Sequence, residues 1–153
     1  MLLMVAASMN FSRHFMAFRQ MTLRPYFEDS EAKAIVVAMS LSVIGVAILL
    51  TLRGTYPDFM LSLRHSAFNV VAMASTTGFV SQDYDLWPTF APVWMLFLSC
   101  VVCSTGSTGG GVKMFRTLLL SRQAVREMKL LVHPSAVMPI RIAGMVIPDR
   151  IVY

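Results

Sequence analysis

Three long stretches of the chain carry no Asp, Glu, Lys or Arg: residues 34–52, 65–82 and 86–112. The first, AIVVAMSLSVIGVAILLTL, has 19 residues and stops at Arg53-Gly54. As a helix it spans about 28 Å, close to the roughly 30 Å hydrocarbon core of a bilayer. It is apolar all round, whereas a soluble helix keeps a charged face, so it reads as a membrane span. The third stretch has 27 residues, opening LWPTFAPVWMLFLSCVVC and closing STGSTGGGV. Its first two thirds read as a second span that begins at Trp87-Pro88, with Trp87 and Trp94 in its first part, as at a membrane interface. Its end is crowded by Gly106, Gly109, Gly110 and Gly111. At about 1 kcal/mol per Gly relative to Ala, a plain helix does not tolerate that cluster. The helix is predicted to break inside the membrane and resume near Lys113.

The middle stretch, HSAFNVVAMASTTGFVSQ, is only moderately apolar, rich in Ser, Thr and Ala, and has Gly78 as its single Gly. It predicts a segment that enters the membrane and returns on the same side, with a helix over about 63–74 followed by an extended STTGF. Bare backbone at that depth survives only where protein or a water-filled cavity surrounds it. Charge agrees with this parity. Arg13, Arg19, Arg24 and Lys33 precede the first span, and Lys113, Arg116, Arg122, Arg126 and Lys129 follow the second. Residues 53–64 hold two basic residues, and the surroundings of Asp83 and Asp85 hold none. The positive-inside rule places both outer flanks in the cytoplasm, which needs two spans and one re-entrant loop. The opening MLLMVAASMNF lacks the basic start of a signal peptide and reads as the end of a helix. With the abrupt PDRIVY at the other end, it suggests an excerpt from a longer chain.

Composition sharpens this picture. Apolar residues make up 56% of the 153 and charged residues 14%, against roughly 25% charged in an average soluble domain. Disorder, low complexity and a nucleic-acid binder with a basic stripe are excluded. The formal charge of +5 suits the inner face of a membrane.

Ser75-Thr76-Thr77-Gly78-Phe79 carries the candidate chemistry. A dehydrated alkali cation takes about six to eight oxygen ligands of little net charge, which stacked backbone carbonyls and a Thr hydroxyl supply. Gly78 permits the backbone angles that turn successive carbonyls toward one axis, and the preceding helix aims its negative end there. Asp83 and Asp85 raise the local cation concentration on the outer side. The same letters also fit an ordinary interhelical loop. In Ser104-Thr105-Gly106-Ser107-Thr108-Gly109-Gly110-Gly111, Val112 stands where a phosphate loop needs Lys, and the run follows an apolar helix. Two readings stay open: close helix packing through Gly106 and Gly110, and a flexible loop in an ion path. Cys100 and Cys103 form C-x-x-C in an uncharged helix and read as packing residues. His14, His65 and His133 have no acidic or Cys neighbours at ligand spacing, and His65 reads as interfacial. The sequon at Asn10 lies on the inner side. Glu28, Asp29 and Glu31 read as a solvated acidic turn. No nucleophile–base pair or carboxylate dyad is visible, so no enzyme is expected. The competing readings are a membrane assembly subunit without its own pore and a membrane enzyme using the Cys pair.

STTGF followed by DYDLWP, then CSTGSTGGGVK leading into a basic helix and LVHPSAV, resemble the Trk/Ktr/HKT superfamily of potassium transporters, most closely the bacterial TrkH-type membrane subunit. MNFSRHFMAFR and LRPYFEDSE resemble the junction between that family's second and third repeats, and the resemblance covers nearly the whole chain. It implies an all-α membrane fold, in which two transmembrane helices flank a re-entrant pore helix and filter loop, the second helix being broken by the Gly-rich loop. It assigns 1–33 to the end of a preceding helix and a cytoplasmic linker, 34–120 to one repeat of helix, pore loop and helix, and 121–153 to a basic linker toward a fourth repeat. Thr76, Thr77 and Gly78 then line one quarter of a potassium filter, flanked by Ser75 and Phe79. Against the potassium-channel T-V-G-Y-G pattern, Thr77 stands at Val, Phe79 at Tyr and Val80 at the second Gly, which implies a shorter, less selective filter. Gly106, Ser107, Thr108, Gly109, Gly110 and Gly111 resemble the family's intramembrane gating loop. The resemblance further implies potassium as substrate with no cofactor, no nucleic acid, a homodimer of the full-length chain in the bacterial inner membrane, and a cytosolic nucleotide-binding regulatory subunit. Residues 113–129, with Lys113 and Arg116 foremost, are candidates to touch that subunit, or lipid phosphates. Symport with protons or sodium and channel-like transport both stay open.

Overall fold

The first apolar run forms α1 (Leu2–Ser8), which ends where Met9 turns extended. Asn10 then starts α2 (Phe11–Gln20), its side chain accepting the Ser12 backbone N–H at 2.8 Å. His14 fixes this corner, with Nε2 2.8 Å from the Ala6 carbonyl and Nδ1 2.5 Å from the Tyr26 hydroxyl. A carbonyl only accepts, so Nε2 carries a proton, and in the neutral ring Nδ1 accepts from Tyr26. Met21, in the left-handed region at φ 49°, stops α2. Pro25 helps open α3 (Arg24–Glu28), as its fixed φ suits a first helical turn. In this computed structural model the described residues are 1–132 together with the backbone of 141–142 and 145–146, and of Glu28 only the backbone. His133, Pro134, Pro139, Pro148 and PDRIVY lie outside them.

Asp29 caps α4 (Ser30–Leu52), its Oδ1 accepting the Glu31 N–H at 3.0 Å while Oδ2 takes the Arg13 Nε–H at 3.1 Å. The expected solvated acidic turn is therefore corrected: Asp29 and Glu31 are each only 8% exposed. Spacing along the chain hid the reason, because the partner of Asp29 comes from α2 and that of Glu31 from a loop 74 residues away. Replacing Asp29 with Ala removes cap and ion pair together and should lower stability by about 1–2 kcal/mol. Asn, which keeps the cap oxygen, should lose less; thermal unfolding of the two variants side by side gives the order.

At 23 residues, with an 18-residue window of mean hydropathy 2.7, α4 is the one helix among the described residues long and apolar enough to cross a membrane. Its inward face, with Ile35, Met39, Val46 and Leu50, is buried; Val37, Leu41, Ile44 and Ile48 face outward and are just as apolar. Its main neighbour is α5 (Phe59–Ala74), which also packs on α6 (Phe90–Val101). Small side chains bring α4 and α5 close. Ser62 and Ser66 of α5 are fully buried, Thr51 Oγ1 donates to Ser62 Oγ at 3.0 Å, and Ser66 Oγ donates to the Val43 carbonyl at 3.3 Å. The expected helix over 63–74 begins four residues earlier, at Phe59, directly after Pro57-Asp58.

Between α5 and α6 the chain makes a loop and a 3-10 turn, Tyr84–Leu86, started by Asp83. Trp87 is buried and donates from Nε1 to the Tyr56 hydroxyl at 3.3 Å, and Tyr56 stacks on His65 with ring centres 5.2 Å apart. At 12 residues, α6 spans only about 18 Å. Residues 102–113 are not helical, so Gly106 and Gly110 are not a helix-packing pair. Helical structure resumes in α7 (Met114–Val132). The chain divides into two compact units after Met114. Within the second, β1 (Arg141–Ile142) and β2 (Met145–Val146) form an antiparallel ladder with Arg141 opposite Val146. Apart from that ladder, the regular structure of the described residues is helical.

Candidate functional site

The carboxyl end of α5 is wrapped by the residues that follow it. The Thr77 and Gly78 N–H groups both donate to the Ala72 carbonyl, at 2.9 and 3.2 Å, and Thr76 N–H donates to the Met73 carbonyl at 3.0 Å. A trans peptide points its C=O opposite to its N–H. The carbonyls of Thr76 and Thr77, which share peptides with those two N–H groups, are therefore turned away from α5. Among the described residues, the carbonyls of Thr76, Thr77 and Gly78 take no hydrogen bond. Thr76, Thr77, Gly78 and Phe79 are all exposed, Phe79 by 60%. Thr76 and Gly78 sit in the left-handed region, at φ 55° and 77°, which is what reverses the chain here. Ser75 is buried and pairs its hydroxyl with Thr77 Oγ1 at 2.7 Å.

The outgoing limb is held by a residue that sequence reasoning missed. Asn69, only 1% exposed in the body of α5, donates from Nδ2 to the Gln82 carbonyl at 3.2 Å. Its Oδ1 accepts from the Ser81 N–H at 2.9 Å and the Ser81 hydroxyl at 3.2 Å. The available signal was an amide in the middle of an otherwise apolar helix, where a polar side chain must find partners. Asp83 and Asp85 are exposed beyond it, and Asp83 Oδ1 accepts the Asp85 N–H at 3.0 Å.

The structure brings the Gly-rich loop to the same place. Gly110 N–H donates to Thr76 Oγ1 at 3.2 Å, Cys103 is buried with its Sγ 3.5 Å from the Ala74 carbonyl, and Gly109 lies against Cys103. Lys113 bonds through Nζ to the Gly109 carbonyl. Val112 and Met114 N–H close the loop onto the Cys100 and Cys103 carbonyls, both at 2.7 Å. The other half of the loop faces the corner between α1 and α2. Ser104 N–H donates to the Ser8 carbonyl at 2.9 Å, Phe11 N–H to the Gly106 carbonyl at 3.2 Å, and Thr108 Oγ1 to the Ala7 carbonyl at 3.2 Å. Ser107 folds back on Ser104. Cys100 is an exposed thiol. Arg116 belongs to α7 (Met114–Val132).

Comparison with known proteins places this arrangement. A family model described as "TrkH: Cation transport protein" matches residues 1–153. The chain is 38% identical over 150 residues to the Trk system potassium uptake protein TrkH of Halomonas elongata, covering 97% of this chain and 30% of that protein. It is 31% identical over 149 residues to the Trk system potassium uptake protein TrkG of Escherichia coli, covering 95% of this chain and 30% of that one. The crystal structure of the potassium transporter TrkH from Vibrio parahaemolyticus superposes with a TM-score of 0.93 at 35% identity, covering 99% of this chain and 33% of that chain. The chain thus spans about a third of the length of these relatives. With the family model matching end to end and the helical architecture shared, this chain belongs to the TrkH family of cation transport proteins.

Proposed function

We propose that the chain is one repeat of a larger, membrane-embedded potassium uptake protein, and that the backbone of Thr76, Thr77 and Gly78 supplies its quarter of the ion-coordinating filter. The observation that carries this reading is that the carbonyls of Thr76 and Thr77, both exposed residues, turn away from the negative end of α5 and take no hydrogen bond among the described residues. The names of the relatives, potassium uptake proteins, support potassium as the substrate. In this reading α4 spans the plasma membrane, α5 and residues 75–83 form the pore loop, and α6 with the Gly-rich loop forms the interrupted second span. Residues 1–33 end the preceding repeat, and 121–153 lead toward the next. The loop at 106–111 gates the path, with Gly110 already bonded to Thr76. Lys113 and Arg116 are contacts for a cytosolic nucleotide-binding subunit, and the full-length chain pairs as a homodimer in a bacterial inner membrane. Potassium is cargo, and the protein catalyses no covalent chemistry.

Replacing Gly78 with Ala tests the filter. An added Cβ meets nothing within 4 Å, but φ of 77° is unfavourable for Ala. The strain of roughly 1–2 kcal/mol should turn the Thr77 carbonyl and lower potassium-over-sodium preference about tenfold in the full-length protein, at unchanged membrane abundance. A loop that serves packing alone would lose stability and keep its ion preference, and that result would refute the assignment.

A further inference from the structure

Glu31 has no place in the ion path, yet its carboxylate is buried and reaches across the fold. Oε1 accepts the Thr105 backbone N–H at 2.8 Å. That bond joins the first turn of α4 to the first half of the Gly-rich loop. The same half makes three more bonds, donating to the Ser8 and Ala7 carbonyls and accepting from the Phe11 N–H, and Gly106 lies against the Asn10 side chain. The second half, Gly109 to Lys113, is tied instead to Thr76 and to the end of α6. The loop thus has an anchored part and a part that meets the filter. Of these anchoring bonds, the one at Thr105 brings in an acidic side chain, that of Glu31; the others use backbone groups and the Thr108 hydroxyl. It is placed there by Asp29, whose cap orders the turn and whose ion pair with Arg13 binds that turn to α2.

We propose that Glu31 is a positioning residue that latches the loop at Thr105 and so holds the gate under the filter; this rests on reading 106–111 as a gate. The latch works by the reach of the Glu31 carboxylate to the Thr105 N–H. That separates two conservative variants. Glu31→Gln keeps an oxygen at the same distance and loses the charge. Glu31→Asp keeps the charge and draws the oxygen back by about 1.5 Å, one carbon–carbon bond.

The test is rubidium uptake by the full-length protein carrying each variant, without stimulation by any regulatory partner and at matched membrane abundance. Glu31→Asp should raise basal uptake about fivefold, the worth of one net hydrogen bond, with Glu31→Gln within about twofold of the parent. A second readout needs no transport: the rate at which a Ser107→Cys thiol reacts with a soluble thiol reagent, in a Cys100→Ser background. Glu31→Asp should speed that labelling and Glu31→Gln should leave it alone. The reverse order, equal behaviour of the two variants, or loss of both from the membrane would each overturn the latch. A parent protein that takes up no rubidium while its labelling still follows the predicted order would instead refute the pore and keep the latch.

Discussion

Gly111→Ala is expected to give a protein that transports nothing and is markedly less stable. At this position the backbone has φ of 89°, and an added Cβ would stand 2.3 Å from the carbonyl oxygen of Cys100. Both obstacles are backbone, so no side-chain rotation relieves them. The left-handed conformation costs an L-residue roughly 1–2 kcal/mol, and overpacking typically adds about 1–3 kcal/mol. The Val112 N–H bond to the same carbonyl would be pushed apart with it. Gly110 is the matched control: a Cβ there meets nothing within 4 Å and its φ is not positive. Uptake and thermal unfolding measured on both full-length variants should show a severe loss at Gly111 and a mild one at Gly110. Two equally mild variants would mean that the loop closes onto α6 in some other way.

The second large effect is expected at Asn69. Leu in its place keeps the branching at Cγ, with two bulkier methyl groups, and strips three hydrogen bonds from the limb at Ser81 and Gln82. Leaving buried groups unpaired costs about 1–3 kcal/mol each, less where water reaches, as it does at the exposed Ser81 and Gln82. The larger consequence is geometric, since the limb then no longer returns from Gly78 along one fixed course. Potassium-over-sodium preference, read by sodium competition against rubidium uptake, should fall about tenfold or more. Asn69→Asp retains the acceptor for both Ser81 bonds and loses only the donor to Gln82, so it should fall between the parent and Leu. An Asp variant worse than Leu would show that charge, not the course of the limb, decides.

What could be read ahead of the structure was whatever is local. The uncharged run at 34–52 located the core of α4, because crossing length and composition are properties of a single segment. The end of α5 at Ala74 and the break before Lys113 followed from STTG and the Gly cluster, where backbone preference acts on the residue itself. What was illegible depends on partners distant in sequence. Asp29 and Glu31 look like surface carboxylates until Arg13 and Thr105 are brought to them. Asn69 reads as one more small polar residue until Ser81 and Gln82 return past it. The shortness of α6 also escaped notice, because hydropathy rises over Val101 to Cys103 whether or not the helix continues.

The shared hydroxyl of Thr76 ties two parts of the proposed pathway thermodynamically. Its Oγ1 holds Gly110 while its own carbonyl faces out beside that of Thr77. If displacing Gly110 changes how firmly a cation is held at Thr76, then occupancy by that cation must bias Gly110 by the same free energy, because linkage between two equilibria is reciprocal. External potassium would then act as an effector of the inner barrier as well as the solute passing it, with no separate sensor required.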